Sequence, residues 1–229
     1  MRLFMYRFLI ALALFLSFSP IKGQTSDKQM VYVYKKEVNQ YSSQSTWTLT
    51  KEGDELHIQG KSAKGSTTII SSLDRQTKQF IFKSAHRGDD YTIYRSGSEL
   101  IASGTARGKE IKKRYRLGSK LWLQEFDFSL KPFILSNQRE IKFCIIHPKK
   151  LSKHNMAAKK QRIEQLSLNN ATYEALKVKI SLTGFKGMFW SAQAWFDTRS
   201  GDLLQYIANE GPNTPTGIIT LLSKKSAPS

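Results

Sequence analysis

The chain has 229 residues, of which 36 are lysine or arginine and 18 are aspartate or glutamate, so its formal net charge at pH 7 is +18. Its single cysteine, Cys144, excludes an intramolecular disulfide, and the fold must therefore rest on packing and backbone pairing. So large an excess of positive charge attracts anionic surfaces or polymers, unless the lysines serve only to keep the protein soluble.

The first 23 residues have the layout of a secretory signal peptide. Arg2 and Arg7 precede an apolar run over residues 8–16, which is followed by Ser, Pro and Gly. This run is shorter than the roughly 20 apolar residues that span a bilayer, and no second run of that length follows. We predict an exported protein, periplasmic or secreted, with no membrane-spanning segment after cleavage. Removal of Arg2, Arg7 and Lys22 would leave a net charge of +15.

The chain from residue 24 to residue 229 is predicted to be a single, mainly β domain. Short segments rich in Val, Ile, Thr, Tyr and Phe recur at intervals of about 8 to 12 residues, as in antiparallel all-β domains. Turn-forming clusters such as Glu52-Gly53-Asp54 separate them, so strands that follow each other in sequence should be neighbours in the sheet. The first predicted strands are residues 30–38, 45–50, 55–60, 66–73, 79–84, 91–96, 99–105 and 109–117.

The strand pattern stops at residues 119–137, where apolar residues follow a helical spacing of four, four and three. Ser119 is a suitable N-cap, and Pro132 should break or kink the helix near Ser129 because proline removes a backbone hydrogen bond. The segment is apolar on most sides, so the sheet must enclose it. The residues of the helical stripe are Trp122, Phe126, Leu130 and Phe133.

Strands are predicted again at residues 140–147, 161–168 and 172–182, the last two paired across Asn169-Asn170. Residues 149–160 are basic and are interpreted as a mobile connection, although residues 156–166 could equally start as a helix. Residues 185–222 predict two strands around a turn with Gly201 at a positive φ, then a Pro/Gly loop and a closing strand. About twelve strands exceed the roughly ten at which a twisted sheet curls or splits. We therefore predict an open half-barrel that encloses one kinked apolar helix.

The C-terminal run GFKGMFWSAQAWFDTRSGDLLQYIANEGPNTPTGIITLL, preceded by ATYEALKVKISL, resembles an uncharacterised family of exported bacterial proteins. In that family a Trp-Phe-Asp strand, a Gly turn, a return strand and a Gly-Pro-x-x-Thr-Pro loop occur in this order. The earlier run WTLTKEGDELHIQGKSAKGSTT is similar to its amino-terminal part. The family is similar in architecture to periplasmic lipoprotein carriers, whose half-barrels shelter acyl chains beneath a helical lid. The resemblance implies an apolar cavity and carries over no functional residue.

The sequence contains no convincing catalytic, metal or cofactor motif. It has no Gly-x-Ser-x-Gly elbow, and a triad of Ser84, His86 and Asp89 is disfavoured because residues so close on a strand and its turn point apart. Cys144 lies in an apolar run and is interpreted as a buried, inert thiol. The pair Glu125 and Asp127 is explained by the aromatic core residues around it. We expect a protein that is not an enzyme and needs no cofactor or metal.

Two groups of residues are candidates for binding. The first is aromatic and represents either an ordinary core or the lining of an apolar pocket: Trp122, Phe126, Phe133, Trp190 and Trp195. The second alternates on one face of a predicted strand and could bind anions: Lys112, Arg114 and Arg116. Further basic residues that could extend the second group are Lys109, Lys113, Lys120, Lys149, Lys150, Lys153, Lys159 and Lys160.

Two functions fit these features. The first is a non-enzymatic cell-envelope protein that binds an apolar or amphiphilic, lipid-like ligand in its half-barrel, with the basic face near an anionic head group. The alternative is a scaffolding module that binds anionic envelope polymers or a protein partner through that face. Export makes anionic lipid head groups, lipopolysaccharide or wall polymers more available partners than nucleic acid, and we expect a monomer.

Overall fold

The computed structural model describes residues 29–184, 190–209 and 214–227. The predicted signal peptide and residues 211–213 of the predicted Gly-Pro loop lie outside this part of the chain. The described residues form fifteen strands, two short helices and one 3-10 turn, Ala85–Arg87. The helices are α1 (Phe126–Ser129) and α2 (Lys131–Leu135). The strands are β1 (Gln29–Val38), β2 (Tyr41–Glu52), β3 (Glu55–Ser62), β4 (Gly65–Ser72), β5 (Thr77–Ser84), β6 (Asp89–Ser96), β7 (Glu99–Ala106), β8 (Lys109–Arg116), β9 (Leu121–Trp122), β10 (Glu140–His147), β11 (Ser152–Leu168), β12 (Ala171–Leu182), β13 (Ser191–Asp197), β14 (Leu203–Asn209) and β15 (Thr216–Ala227).

All fifteen strands belong to one open sheet in the order β8-β7-β6-β5-β4-β3-β2-β1-β15-β14-β13-β12-β11-β10-β9. Strands that follow each other in sequence are neighbours, as predicted, except β8 and β9, and β1 pairs with β15 in the middle of the sheet. The strands β8 and β9 are therefore the two edges. The predicted mainly β, open half-barrel is confirmed, with fifteen strands instead of about twelve. In the part of the chain that the structure describes, no helix is long and apolar enough to cross a membrane.

The helix predicted over residues 119–137 is only partly confirmed. The bend falls where it was predicted, between the end of α1 at Ser129 and the start of α2, with Pro132 in the first turn of α2. The helical prediction for residues 119–125 is wrong. Trp122 pairs in parallel with Cys144 of β10, and Glu125 has a φ of 56°, a left-handed conformation that interrupts any helix before Phe126.

The interpretation of residues 149–160 as a mobile connection is also wrong. From Ser152 onward they belong to β11, a strand of 17 residues. Its first half pairs with β10 on one side, and from Met156 onward it also pairs with β12 on the other. Met156 and Ala158 are buried on one face of this strand. Pairing with strands on both sides therefore orders a segment whose basic composition is typical of a loop. The turn at Asn169-Asn170 is confirmed, with φ values of 51° and 63°.

One face of the sheet is concave and packs against the two helices; we call it the inner face. Tyr32 and Trp47 pair across β1 and β2, and their ring centroids lie 5.4 Å and 5.3 Å from that of Phe128. Gly60 faces Trp47, and a Cβ atom there would lie 2.5 Å from the indole, so glycine makes room for this ring. The register continues this inner row through Thr67, Phe82, Tyr91, Gly104 and Ile111.

The two ends of the sheet approach each other and are joined by polar contacts instead of a strand ladder. Gln124 links them, since its backbone N–H donates to Thr77 Oγ1 at 2.9 Å and its side-chain amide donates to the Ile146 carbonyl at 2.9 Å. The hydroxyl of Tyr91 donates to the Pro148 carbonyl at 2.7 Å. A single sheet can thus enclose an interior without closing into a continuous barrel.

The interior has one end filled by the helices and one end lined by turns. Lys131 of α2 places its Nζ 2.9 Å from Asp202 Oδ1, in the turn between β13 and β14, which holds the helices at the filled end. Because the turns of an antiparallel meander alternate between its two ends, the β5–β6, β7–β8 and β10–β11 connections share the opposite end, which we call the mouth. The end of β14 and the start of β15 lie at the same end.

Candidate functional site

Towards the mouth, the inner face is only partly covered by other residues. The Phe126 ring lies 6.1 Å from that of Phe143 on one wall and 6.1 Å from that of Tyr206 on the other. Phe143 is buried, whereas Phe126 and Tyr206 are half-buried. Other half-buried apolar residues share this face by strand register or alternation: Trp47, Phe82, Ile145, Leu182, Trp190, Ala208 and Ile219. Half-exposed aromatic and aliphatic side chains on a concave wall are suited to contact an apolar ligand.

The five aromatic residues predicted to bind a ligand do not form one cluster. Trp122 is fully buried, and its Nε1 donates to Gln124 Oε1 at 3.1 Å, so it belongs to the junction between the two ends of the sheet. Phe133 is 3% exposed and borders a cleft of about 260 Å³ at the filled end, with Leu121 and Pro132 among its neighbours.

Trp195 lies on the opposite, outer face. Its Nε1 donates to Glu164 Oε1 at 2.6 Å, and Lys177 Nζ lies 4.8 Å from the centre of its ring. Of the five predicted residues, Phe126 and Trp190 are the half-buried ones on the inner face. Ligand contact by any of the five stays a prediction, and the geometry favours these two.

Two carboxyl side chains lie in the interior beside Phe126. Glu125 and Asp127 are surrounded by protein and keep only partial solvent exposure. Burial raises the pKa of Glu125 to about 8, and the neighbouring Asp127 adds to this shift. Burial raises the pKa of Asp127 to about 6. The sequence interpretation treated this pair as incidental to an aromatic core and did not anticipate the raised pKa values of the two carboxyl groups.

The mouth contains a cleft of about 510 Å³, which we call the mouth cleft. Sequence analysis included its two lysines in the extended basic group but missed its two arginines and its histidine. The available clue was topological, because alternate turns of a meander lie at the same end of the sheet. The residues that line the mouth cleft are Arg87, Arg107, His147, Lys149, Lys150 and Thr214.

The predicted anion-binding residues Lys112, Arg114 and Arg116 lie on the outer face of β8, at an edge of the sheet. All three are exposed, while Ile111 and Tyr115, which alternate with them, are half-buried on the inner face. Arg114 Nη1 lies 3.3 Å from Glu99 Oε2. These three residues form a surface separate from the mouth cleft, and their binding of anions stays a prediction.

The residues considered for nucleophilic catalysis do not form a triad. Ser84 Oγ lies 3.2 Å from His86 Nδ1, but Asp89 is engaged elsewhere, with its Oδ1 accepting from the Arg107 backbone N–H at 2.8 Å. The expected burial of Cys144 is confirmed, and burial raises the pKa of its thiol to about 11, away from the thiolate form that reacts.

Comparisons with known proteins support the fold. No family model matches the chain, and no curated protein sequence matches it. A solved structure of a beta-barrel-like protein of the domain of unknown function DUF1849, from Brucella abortus, aligns with a TM-score of 0.62 and 7% identity over 89% of this chain and 99% of that chain. At this identity the similarity shows the shared half-barrel fold alone.

Two further solved structures align at lower scores. The hypothetical lipoprotein YmcC from Escherichia coli has a TM-score of 0.40 and 11% identity, over 90% of this chain and 92% of that chain. A LolA superfamily protein from Nitrosomonas europaea has a TM-score of 0.26 and 8% identity, over 90% of this chain and 88% of that chain. Neither alignment is strong enough to carry an argument about function.

Proposed function

We propose that this chain is a non-enzymatic protein of the bacterial cell envelope that binds an apolar or amphiphilic, lipid-like ligand against its inner face. The observation that carries the proposal is a set of half-buried apolar residues on the inner face, among which the ring centroids of Phe126 and Tyr206 lie 6.1 Å apart. The predicted signal peptide supports export to the envelope.

The energetics favour an acyl chain as the ligand. Each CH₂ group removed from water contributes about 0.8 kcal/mol, so eight carbons would contribute about 6 kcal/mol before the entropic costs of association. The rings of Phe126 and Tyr206 gain burial at the same time, because both are partly exposed without a ligand. A protonated Glu125 carboxyl places no net charge next to the chain, as its pKa is raised to about 8 by burial.

The proposal predicts that a bulky side chain at Ala208 blocks binding. Ala208 is half-buried and shares the inner face with Tyr206, two residues away on β14. We expect the wild type to bind the neutral dye N-phenyl-1-naphthylamine saturably, with a rise in dye fluorescence. The Ala208→Trp variant should bind it at least tenfold more weakly, because the indole fills the space that the dye occupies.

The control is Gln205→Trp, which adds the same ring on the outer face of the same strand and should leave dye binding unchanged. Both variants are compared with the wild type by thermal unfolding to confirm folding. The absence of both saturable dye binding and extractable lipid in purified protein would contradict the proposal.

The alternative function is a scaffold that binds an anionic polymer through the outer face of β8. Salt-sensitive polymer binding would favour it if the binding is lost in a variant with Lys112→Glu and Arg114→Glu.

A further inference from the structure

We infer that the mouth cleft is a binding site for a phosphate group, carried as the head group of an amphiphile. The inference rests on the proposed function, since the chain of that amphiphile would lie on the inner face. Three separate turns supply the cations: Arg87 after β5, Arg107 after β7, and Lys149 and Lys150 after β10. None of the described residues that line the mouth cleft is acidic. Arginine and lysine around one concavity form the side-chain set that recognises phosphate in proteins.

Contacts within the protein position the turns that carry the two arginines. Asp89, whose side chain is 1% exposed, forms an ion pair through Oδ2 with Arg87 Nε at 2.8 Å. The other oxygen, Oδ1, accepts from the Arg107 backbone N–H at 2.8 Å. The Gly108 N–H donates to the Gly88 carbonyl at 2.9 Å, which ties the two turns together. Because Arg87 contacts Asp89 through Nε, its two Nη groups lie outside that ion pair and can donate to phosphate oxygens.

The third turn is attached to the other two and adds a neutral donor. Arg107 Nη2 donates to the Lys149 carbonyl at 3.3 Å. His147 Nδ1 accepts from the backbone N–H groups of Lys149 and Lys150, at 3.2 Å and 3.3 Å, so the neutral ring carries its hydrogen on Nε2. Burial lowers the pKa of His147, and the charges of His154, Lys150 and Lys149 lower it further, which keeps the ring in this neutral form at pH 7.

Charge and size favour a phosphate head group over a carboxylate. A phosphomonoester carries about one and a half to two negative charges at neutral pH and three acceptor oxygens, whereas a carboxylate carries about one charge and two oxygens. The phosphate can therefore engage more of the four cations and the one further donor. The volume of about 510 Å³ lies within the range of small-molecule sites, about 300 to 1,000 Å³, so the mouth cleft admits a group larger than the ion itself.

Tyr91 connects the mouth cleft with the inner face. Its ring belongs to the inner row, and its hydroxyl donates to the Pro148 carbonyl in the third turn.

The test compares three probes by isothermal titration calorimetry below their micelle concentrations: dodecyl phosphate, the uncharged dodecyl maltoside, and inorganic phosphate. The variant Lys149→Gln with Lys150→Gln removes two exposed charges of the mouth cleft. The matched control, Lys51→Gln with Lys225→Gln, removes two exposed charges from the ends of β2 and β15, outside the residues that line the mouth cleft. We expect the mouth-cleft variant to bind dodecyl phosphate at least tenfold more weakly and dodecyl maltoside with unchanged affinity. The control should bind both probes as the wild type does.

A second readout follows the imidazole Cε1–H resonance of His147 by NMR. Dodecyl phosphate should raise the pKa of His147, because a bound anion stabilises the imidazolium, and a purely structural role for the lysines would leave that pKa unchanged.

Equal binding of dodecyl phosphate by the wild type and the mouth-cleft variant would overturn the inference while leaving the proposed function intact. Inorganic phosphate binding as tightly as dodecyl phosphate would overturn the head-group assignment in favour of free phosphate. Failure of dodecyl maltoside and the neutral dye to bind would count against the proposed function itself.

Discussion

The Trp122→Ala variant is expected to lose about 3–5 kcal/mol of the free energy of unfolding, the usual cost of truncating a fully buried tryptophan. Trp122 is 0% exposed, pairs with Cys144 through β9, and donates its indole hydrogen to Gln124. The same Gln124 amide accepts the Ile146 backbone N–H at 3.1 Å, so removing the ring loosens the junction between the two ends of the sheet. Chemical denaturation followed by circular dichroism measures the loss, and the melting temperature should fall by on the order of 10 °C.

The Phe126→Ala variant provides the contrast. Phe126 is half-buried and touches Tyr206 and Phe143 across the interior, so its truncation should cost less stability and weaken dye binding more. If Trp122→Ala instead lost less than about 1 kcal/mol and abolished dye binding, the assignment of Trp122 to the core would be wrong. The two variants thus separate residues that build the half-barrel from residues that line it.

The second large effect concerns Glu125. The folded protein holds this carboxyl with a pKa of about 8, against 4.5 in the unfolded chain, mainly because of burial. Between these values the folded state binds more protons than the unfolded state, so stability falls as the pH rises from about 5 to about 8 and the loss is complete above that range. At about 1.4 kcal/mol per pKa unit, the total amounts to a few kcal/mol.

The Glu125→Gln variant should therefore be less sensitive to pH than the wild type and more stable at pH 9, where the wild-type carboxylate is ionised. Urea denaturation at pH 5, 7 and 9 measures both effects. Asp127, whose pKa is raised to about 6, should leave a smaller residual dependence below pH 7. The exposed Glu110→Gln variant is the matched control and should follow the wild type at every pH. Parallel pH profiles for Glu125→Gln and the wild type would show that Glu125 is solvated and not enclosed in the interior.

Local sequence chemistry was sufficient to predict the hairpins of this fold. Several turn residues adopt the positive φ that their residue types favour. Examples are Asn169-Asn170 and Gly201, whose φ is 69°. The two-residue period of a strand predicts Trp195 on the opposite face from Trp190, and the number of strands predicts a curled sheet. These features depend on residues close together in the chain.

The errors occur where long-range contacts decide the structure. The spacing of Trp122 and Phe126 fits a helix, but the parallel pairing of β9 with β10 overrides it, and no local pattern reveals that pairing. The basic residues after Lys149 have loop-like composition, yet two neighbouring strands order them as β11. Trp122 and its partner Cys144 are 22 residues apart, whereas β11 forms a hairpin with β10 that its basic composition conceals.

The candidate site was predictable only in part. Phe126 and Trp190 follow from alternation and helical spacing, whereas the mouth cleft combines Arg87, Arg107 and His147 from turns far apart in sequence. These residues meet because the two ends of the sheet approach each other through contacts such as that of Tyr91 with Pro148. A basic composition indicates that anions are attracted to the protein, but the curvature of the sheet determines where the charges converge.

The most direct test of the central claim, that the inner face holds an apolar chain, is quenching of tryptophan fluorescence by a fatty acid brominated in its acyl chain. The chain has four tryptophans: Trp47 and Trp190 are half-buried on the inner face, Trp122 is in the core and Trp195 is on the outer face. We predict saturable quenching in the wild type and in Trp195→Phe, and loss of that quenching in the double variant Trp47→Phe with Trp190→Phe. Quenching that persists in the double variant and disappears in Trp195→Phe would place the chain on the outer face and contradict the account.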